Sequence, residues 1–255
     1  MRQSEWLYCI PSYKRCGRQK TIEYLLSIGC DKERIIVSTQ TESDYSEYCR
    51  EYSKIVGRII YGKGDRVSVN RNNLLNYVQT GMKLVLLEDD INSVSRLVEE
   101  NGKKRLEKVK TIQELDELVL YGFRLAELNG TICFGLNMTA NPFFMKRGYT
   151  KKRLVHTGFM GIVNTDLRFD ENMKVWDDPE MNCQIIKKYG SVISINDYCA
   201  DIDRFVKGGC SEAWGDKKGV DEARRYLLNK HGDLLTLNTK GLFCLRRDAM
   251  KALGL

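Results

Sequence analysis

The chain has 255 residues, 42% of them hydrophobic and 29% charged, which suits a single large α/β domain and excludes a disordered or fibrous class. Its net charge of +7 admits a polyanionic partner without requiring one. No apolar stretch is long enough to span a bilayer and no basic-then-apolar leader is visible, so a soluble, cytoplasmic protein without a membrane partner is expected. The nine cysteines are scattered singly with no CxxC pair, several of them in apolar segments (Cys9, Cys133, Cys183, Cys199, Cys244), which predicts reduced, buried thiols.

Strand-like and helical patterns alternate through the first half. A strand over Leu7–Ile10 is expected to stop at Pro11, followed by a helix over Thr21–Ile28 closed by Gly29. A strand at Arg34–Val37, a helix at Asp44–Tyr52 and a strand at Arg58–Tyr61 follow. A helix over Ser68–Thr80 ends at Gly81, and Lys83–Leu87 is a fourth strand. This alternation predicts a parallel, doubly wound sheet.

The second half is mixed. Lys103–Val109 reads as a strand. Thr111 and Glu114 form a capping box that opens a helix to about Leu128. Strands are expected at Thr131–Leu136, Val155–Val163 and Ser191–Ile195, with helices at Pro179–Lys188 and Val220–Asn229. The whole is read as one domain over 1–255, with residues 1–100 and 101–255 as two functional halves.

The sharpest chemical signal is Glu88-Asp89-Asp90 directly after the fourth strand. Parallel α/β sheets bind ligands beyond the carboxyl ends of their strands. Alternation at an extended tip would aim Glu88 and Asp90 to one side and Asp89 to the other. Three oxygen-rich groups there suit Mg²⁺ or Mn²⁺ bridging phosphates. The competing reading is a helix N-terminus decorated with acids.

Ile10-Pro11-Ser12-Tyr13-Lys14-Arg15 resembles the opening of GT-A glycosyltransferases. Glu88-Asp89-Asp90 resembles their DxD motif, and Arg71-Asn72 the RN pair of the same fold. Gly158-Phe159-Met160-Gly161, Leu167–Glu171 and Val175-Trp176-Asp177-Asp178-Pro179-Glu180 resemble the acceptor-side strand and the xED motif. The ordered set covers roughly residues 5 to 200. Length, the opening motif and the Gly208-Gly209 loop are most similar to the TET-associated glycosyltransferases of phages, which are thought to glycosylate hydroxymethylated pyrimidines in DNA.

The resemblance implies a Rossmann-like GT-A nucleotide-sugar fold with a mixed central sheet flanked by helices, the first half binding donor and the second acceptor. It implies a metal-dependent hexosyl- or pentosyltransferase using a UDP-sugar, with the hydroxyl of 5-hydroxymethylpyrimidine in double-stranded DNA as acceptor and, for a phage protein, the host cytoplasm as location. A glycan, lipid-linked sugar or protein acceptor is the alternative. Asp90 and Glu88 would hold Mn²⁺ or Mg²⁺. Pro11, Ser12, Tyr13, Arg15, Arg66, Arg71, Glu88 and Asp89 would bind the donor nucleotide, with Tyr13 stacking; structural ion pairing is the alternative for Arg66 and Arg71, and Lys63, between Gly62 and Gly64, suits a plain turn better than a place beside the donor. Asp178 would be the general base of an inverting displacement, with Asp177 or Glu180 in its stead as the other possibility.

On the acceptor side, Lys146-Arg147-Gly148-Tyr149-Thr150-Lys151-Lys152-Arg153 puts five cations in eight positions, a pattern suited to phosphates and equally common on a solvated surface. Lys146, Arg147, Lys151, Lys152, Arg153, His156, Trp176 and Trp214 are the candidate acceptor contacts. His231 is expected to cap a helix or, less in keeping with its place, to ligate the metal; Asp201 and Asp203 are other ligand candidates.

Overall fold

The computed structural model describes residues 5–62, 64, 66–203 and 216–255. The apolar run that opens the chain becomes strand β1 (Trp6–Ser12), flanked by two parallel neighbours. Strands β2 (Ile35–Thr39), β3 (Arg58–Tyr61) and β4 (Lys83–Leu87) complete a parallel unit in the order β3-β2-β1-β4. The linking helices are α1 (Lys20–Ser27), α2 (Glu42–Tyr52) and α3 (Val67–Tyr77).

One boundary differs from expectation. Strand β1 runs through Pro11 and Ser12, which pair with Ser38 and Thr39. Pairing with β4 ends at Cys9–Leu86. Pro11 therefore lies where β1 has a neighbour on one side only, which a residue without an N–H tolerates.

Past the acids the chain does not enter a helix. It becomes strand β5 (Ile91–Glu100), unanticipated from the sequence, which forms a hairpin with β6 (Lys103–Lys108). The decorated-helix reading of Glu88-Asp89-Asp90 is thereby excluded. Helix α4 (Ile112–Leu128) follows behind the capping box, with both reciprocal bonds made. The remaining sheet strands are β7 (Cys133–Asn137), the short β8 (Tyr149–Thr150), β9 (Phe159–Val163) and β10 (Ile193–Ile202). Strand β9 starts four residues later than expected, and β10 extends well past Ile195. The full order is β3-β2-β1-β4-β9-β7-β10-β5-β6, with β8 on β10. From β4 onward the pairing is mixed, because β9 runs antiparallel to both β4 and β7.

Alternation along β1 assigns the two faces. Tyr8 and Ile10 join one buried cluster with Leu25 of α1, Tyr48 of α2 and Leu118 of α4. Cys9 joins the other with Leu74 of α3, Met181 of α5 (Asp177–Tyr189) and Leu227 of α6 (Lys217–His231). A small hairpin, β11 (Leu235–Leu237) with β12 (Phe243–Leu245), and helix α7 (Arg247–Ala252) close the chain. Helices thus cover both sides of the central sheet, as expected for the fold class. No described helix is long and apolar enough to cross a membrane. Cys244 is only half-buried, because it sits on this outer hairpin instead of in the sheet.

Candidate functional site

Topology gathers the site at one end of the sheet. Strands β1 and β4 are adjacent and parallel, so Ser12 and Glu88 emerge side by side. Strand β9 is antiparallel to β4 with Phe159 opposite Leu87, so the segment leading into β9, with His156 and Gly158, arrives at the same end.

Residues 89 and 90 form a turn, which overturns the expected in-and-out alternation of the acids. Asp89 and Asp90 instead share one partner: Arg15 Nη1 lies 2.9 Å from Asp89 Oδ1 and 2.8 Å from Asp90 Oδ2. Ser12 Oγ donates to Asp89 Oδ2 at 2.6 Å, and Gln19 donates to Ser12 Oγ at 2.7 Å and to the Tyr48 hydroxyl. Burial pushes the Asp89 carboxyl up to about 7 against the pull of Arg15 and Ser12. Burial, then Glu88, raises Asp90. Thr21 Oγ1 ties the turn down by donating to the Glu88 carbonyl and accepting from the Ile91 N–H.

Glu88 points elsewhere. Its Oε1 is 3.5 Å from Arg71 Nη2 and 3.9 Å from His156 Nδ1. Arg71, buried on α3, also pairs through Nη1 with Asp177 in the first turn of α5. Its neighbour Asn72 holds the Phe169 backbone at both N–H and carbonyl. The RN pair therefore grips the acids with one residue and the Phe169 backbone with the next.

Helix α5 begins two residues earlier than Pro179. Its N-cap is Trp176, in the left-handed region at φ 65° with no side-chain cap, so neither Asp177 nor Asp178 caps the helix. Asp178 faces His156: Oδ2 is 3.4 Å from Nε2. The Gly158 N–H donates to His156 Nδ1 at 2.9 Å, which leaves Nε2 as the N–H that faces the carboxylate. Burial raises Asp178 above the usual carboxylate range; His156 opposes this and Asp177 adds to it. Asn182 fastens the arrangement by bridging the Val155 backbone and the Asp178 carbonyl.

Glu180 lies apart from these groups. It is fully buried and accepts from Gln184, Lys230 and His231. Burial alone would raise its carboxyl, but those bonds prevail and hold it below its ordinary value. A carboxylate so spent is a poor proton acceptor, which removes Glu180 as an alternative base. His231 is accounted for in the same way, as the buried partner of Glu180 in the last turn of α6.

The other candidates are distributed as follows. Tyr13 is half-exposed, with Lys14 Nζ 4.8 Å over its ring. Arg66 donates to the Glu171 carbonyl at 2.6 Å. Trp176 packs edge-on against Phe243 at 5.2 Å. Asp203 pairs with Lys20 at 2.6 Å and its N–H donates to the Asp90 carbonyl at 3.1 Å, whereas Asp201 is exposed on β10. The 146–153 segment is anchored to β10 through Tyr149 and Thr150, and three residues beyond Arg153 the chain reaches His156. A shallow cleft opens beside His156 and Gly158, lined also by Asn137, Met138 and Ile202. Lys63, Trp214 and the Gly208-Gly209 loop lie outside the described residues. Gln19 and Tyr48, which bond the Ser12 hydroxyl that holds Asp89, carry no sequence signal: one precedes a helix and the other reads as an ordinary core aromatic.

Among the described residues no three His, Cys, Asp or Glu side chains form a ready-made metal cage. The residues nonetheless fit a cation completed by phosphates, which needs only one or two carboxylates. Asp90 Oδ1 is buried without a hydrogen-bond partner, and Glu88 is partly open to solvent.

No family model matches the sequence, and no curated protein matches it. Solved structures do. The chain is similar to a mannosyltransferase from Pyrobaculum calidifontis in complex with GDP-Man and Mn²⁺ (TM-score 0.53, 9% identity, 88% of this chain and 64% of that one). It is also similar to glucosyl-3-phosphoglycerate synthase from Mycobacterium tuberculosis with phosphoglyceric acid (TM-score 0.55, 10% identity, 89% and 80%). A further structure of that synthase, with Mn²⁺, UDP and glucosyl-3-phosphoglycerate, gives TM-score 0.52 at 9% identity over 94% and 86%. The chain thus spans less than two thirds of the mannosyltransferase. Its fold is that of the GT-A glycosyltransferases.

Proposed function

We propose that the protein is a metal-dependent, inverting glycosyltransferase that moves a sugar from a UDP-sugar to the hydroxyl of a 5-hydroxymethylpyrimidine in DNA. The observation that carries the transferase reading is the convergence of Glu88 and Asp178 on His156, which itself lines a cleft, from three separate elements.

Donor binding falls to the loop after β1. Tyr13 offers a half-exposed ring for the base, and Ser12 and Arg15 hold the acids in place. Asp90 and Glu88 would hold Mn²⁺ or Mg²⁺, which when bound neutralises charge on the leaving diphosphate. The solved structures with Mn²⁺ and GDP-Man or UDP support such a donor.

Asp178 takes the proton from the acceptor hydroxyl as that oxygen bonds to the anomeric carbon and the bond to the diphosphate oxygen breaks. Its burial keeps it a stronger base than a surface aspartate. His156 donates from Nε2 toward Oδ2, which leaves Oδ1 for the hydroxyl. The DNA acceptor is supported by the basic 146–153 segment leading into His156. The reading is tested by incubating UDP-sugars and Mn²⁺ with hydroxymethylated DNA and, in parallel, an oligosaccharide panel, followed by mass spectrometry of nucleosides and glycans. A mass gain on the hydroxymethyl nucleoside is expected; transfer to an oligosaccharide alone moves the acceptor to the glycan class, and no transfer from any donor removes the transferase reading.

A further inference from the structure

Between β7 and the basic segment the chain makes a short turn, Pro142–Phe144, whose two aromatic side chains are turned outward. Phe143 is 79% exposed and Phe144 63%, their rings meeting edge-on with centroids 5.0 Å apart. Leaving two adjacent phenylalanines in water forgoes apolar burial that a domain this size readily provides elsewhere, and such a patch marks a contact surface. The turn itself is firmly held. Its next residue, Met145, is fully buried against Leu97 and Cys199, and Lys104 Nζ donates to the Met145 carbonyl at 3.0 Å.

Along the chain the charge is one-sided, with Asp197 of β10 the acid that faces Arg147. No acid occurs between Glu127 and Asp166, and the five cations of 146–153 fall inside that interval. Among the described residues none of these five is in an ion pair, whereas Arg96 and Arg105, on β5 and β6, each have a carboxylate partner. Aromatic rings and cations also alternate along the chain: Phe143 and Phe144, then Lys146 and Arg147, then the exposed Tyr149, then Lys151, Lys152 and Arg153, then His156 at the cleft. Interleaving of rings with cations suits a partner whose phosphates and flat bases alternate in the same way. A bilayer surface would instead favour an apolar tip with the cations gathered in one collar around it.

We infer that Phe143 and Phe144 form an aromatic wedge that enters the base stack of duplex DNA while the cations of 146–153 hold the flanking phosphates. The inference rests on the DNA reading above. A wedge fills the space left when a nucleotide is turned out of the helix toward a cleft, and so offsets the cost of unstacking. On this view Lys146, Arg147, Lys151, Lys152 and Arg153 supply affinity, and the two rings supply the distortion.

The test uses the full chain, a duplex carrying one 5-hydroxymethylcytosine with 2-aminopurine beside it, and the single-stranded strand of the same sequence. Wild-type binding is expected to weaken steeply with salt and to raise 2-aminopurine emission. The F143A/F144A double variant is expected to keep duplex affinity within about threefold yet lose most of the emission rise, and its preference for duplex over single strand in turnover is expected to fall about tenfold. An emission rise and duplex preference equal to wild type in that variant would overturn the wedge while leaving the DNA reading intact. Absence of salt-sensitive DNA binding by the wild type overturns both. Phe-dependent binding to vesicles containing phosphatidylserine, with none to DNA, assigns the same surface to a membrane and overturns the inference.

Discussion

His156 Nε2 stands 3.4 Å from Asp178 Oδ2, while the other nitrogen of the same ring is fixed by the Gly158 N–H. The pair joins the segment entering β9 to the first turn of α5. It engages Oδ2 of the carboxylate and not Oδ1. Removing the charge at Asp178 is expected to lower kcat by about a hundredfold or more, the range of general-base effects. Because burial raises Asp178, and the base is lost as pH falls through that raised value, the acid limb of kcat/KM is expected above the ordinary aspartate range. His156 pulls Asp178 downward, so His156→Ala is expected to move the limb further up. Steady-state rates across pH check both points; an Asp178→Asn enzyme with wild-type turnover would remove Asp178 from the mechanism.

Arg71 is the second hinge between the halves of the site, touching Glu88 after β4 and Asp177 on α5 from a side chain only 4% exposed. Deleting the guanidinium strands a buried carboxylate. Arg71→Met is expected to cost about 3–5 kcal/mol of stability. Arg71→Lys keeps the charge but not the fork, so it is expected to restore much of the stability and little of the activity. Urea denaturation and turnover measured on the same two variants separate these effects, and equal activity in Arg71→Lys and wild type would refute the bridging role.

The metal assignment makes its own demand. Asp90→Asn and Glu88→Gln are expected to weaken Mn²⁺-dependent UDP binding at least about tenfold, since each removes one of the one or two carboxylates available to the ion. EDTA is expected to abolish turnover and Mn²⁺ to restore it. Calorimetric titration of UDP with and without Mn²⁺ decides; unchanged Mn²⁺-dependent affinity in both variants moves the cation to another place in the fold.

Much of this arrangement was readable before the fold was known, for reasons particular to each element. Strands β1 to β4 are built on short apolar runs, and their alternation with helices dictates a parallel unit with a site at its carboxyl end. The capping box at Thr111 was legible because both partners are local. Strand β5 was not, because Asn92, Ser93, Ser95 and Arg96 break its apolar pattern, and its pairing with β10 depends on residues about a hundred positions away. The direction of the acids was missed for a related reason: a turn at 89–90 cancels strand alternation, and Arg15 recruits both aspartates. Glu180 reads from local sequence as an alternative base, because the Lys230 and His231 that saturate it lie fifty residues on. Phe143 and Phe144 stood in plain view as two adjacent aromatics in a loop, but only accessibility distinguishes an exposed pair from a buried one.

Gly161, part of the motif resembling an acceptor-side strand, has a packing explanation that is independent of chemistry. A Cβ there would lie 2.0 Å from the fully buried Phe134 ring, and a Cβ added at Gly122 of α4 would likewise lie 2.4 Å from that ring. The ring is clamped between two glycines and has nowhere to move. Gly161→Ala is therefore expected to destabilise the protein by about 1–3 kcal/mol, as overpacking does. Thermal unfolding measures it, and Phe134→Leu in the same chain is expected to recover part of the loss by vacating the ring. A Gly161→Ala protein as stable as wild type contradicts the clamp.

The clasp between α5 and α6 predicts a specific acid sensitivity. Lys230 Nζ lies 2.9 Å from Glu180 and 2.5 Å from Asp170, and Tyr226 donates to the same Asp170. Burial alone would raise Asp170, but the bonds from Lys230 and Tyr226 outweigh it and bring its carboxyl down to about 2, and Glu180 is likewise held below its ordinary value. A carboxyl whose folded value is depressed contributes stability that is complete above its unfolded value and is lost as pH falls through the folded one. The protein is therefore expected to lose stability between about pH 4 and pH 2 as these two groups take up protons. Glu180→Ala, which strands His231 and half of Lys230's pairing in the interior, is expected to cost about 3 kcal/mol at neutral pH. It is also expected to flatten the acid dependence, since one of the two titrating carboxyls is gone. Denaturation curves of wild type and Glu180→Ala at pH 7, 4 and 3 test the linkage, and parallel pH profiles for the two proteins would show that the clasp does not carry it.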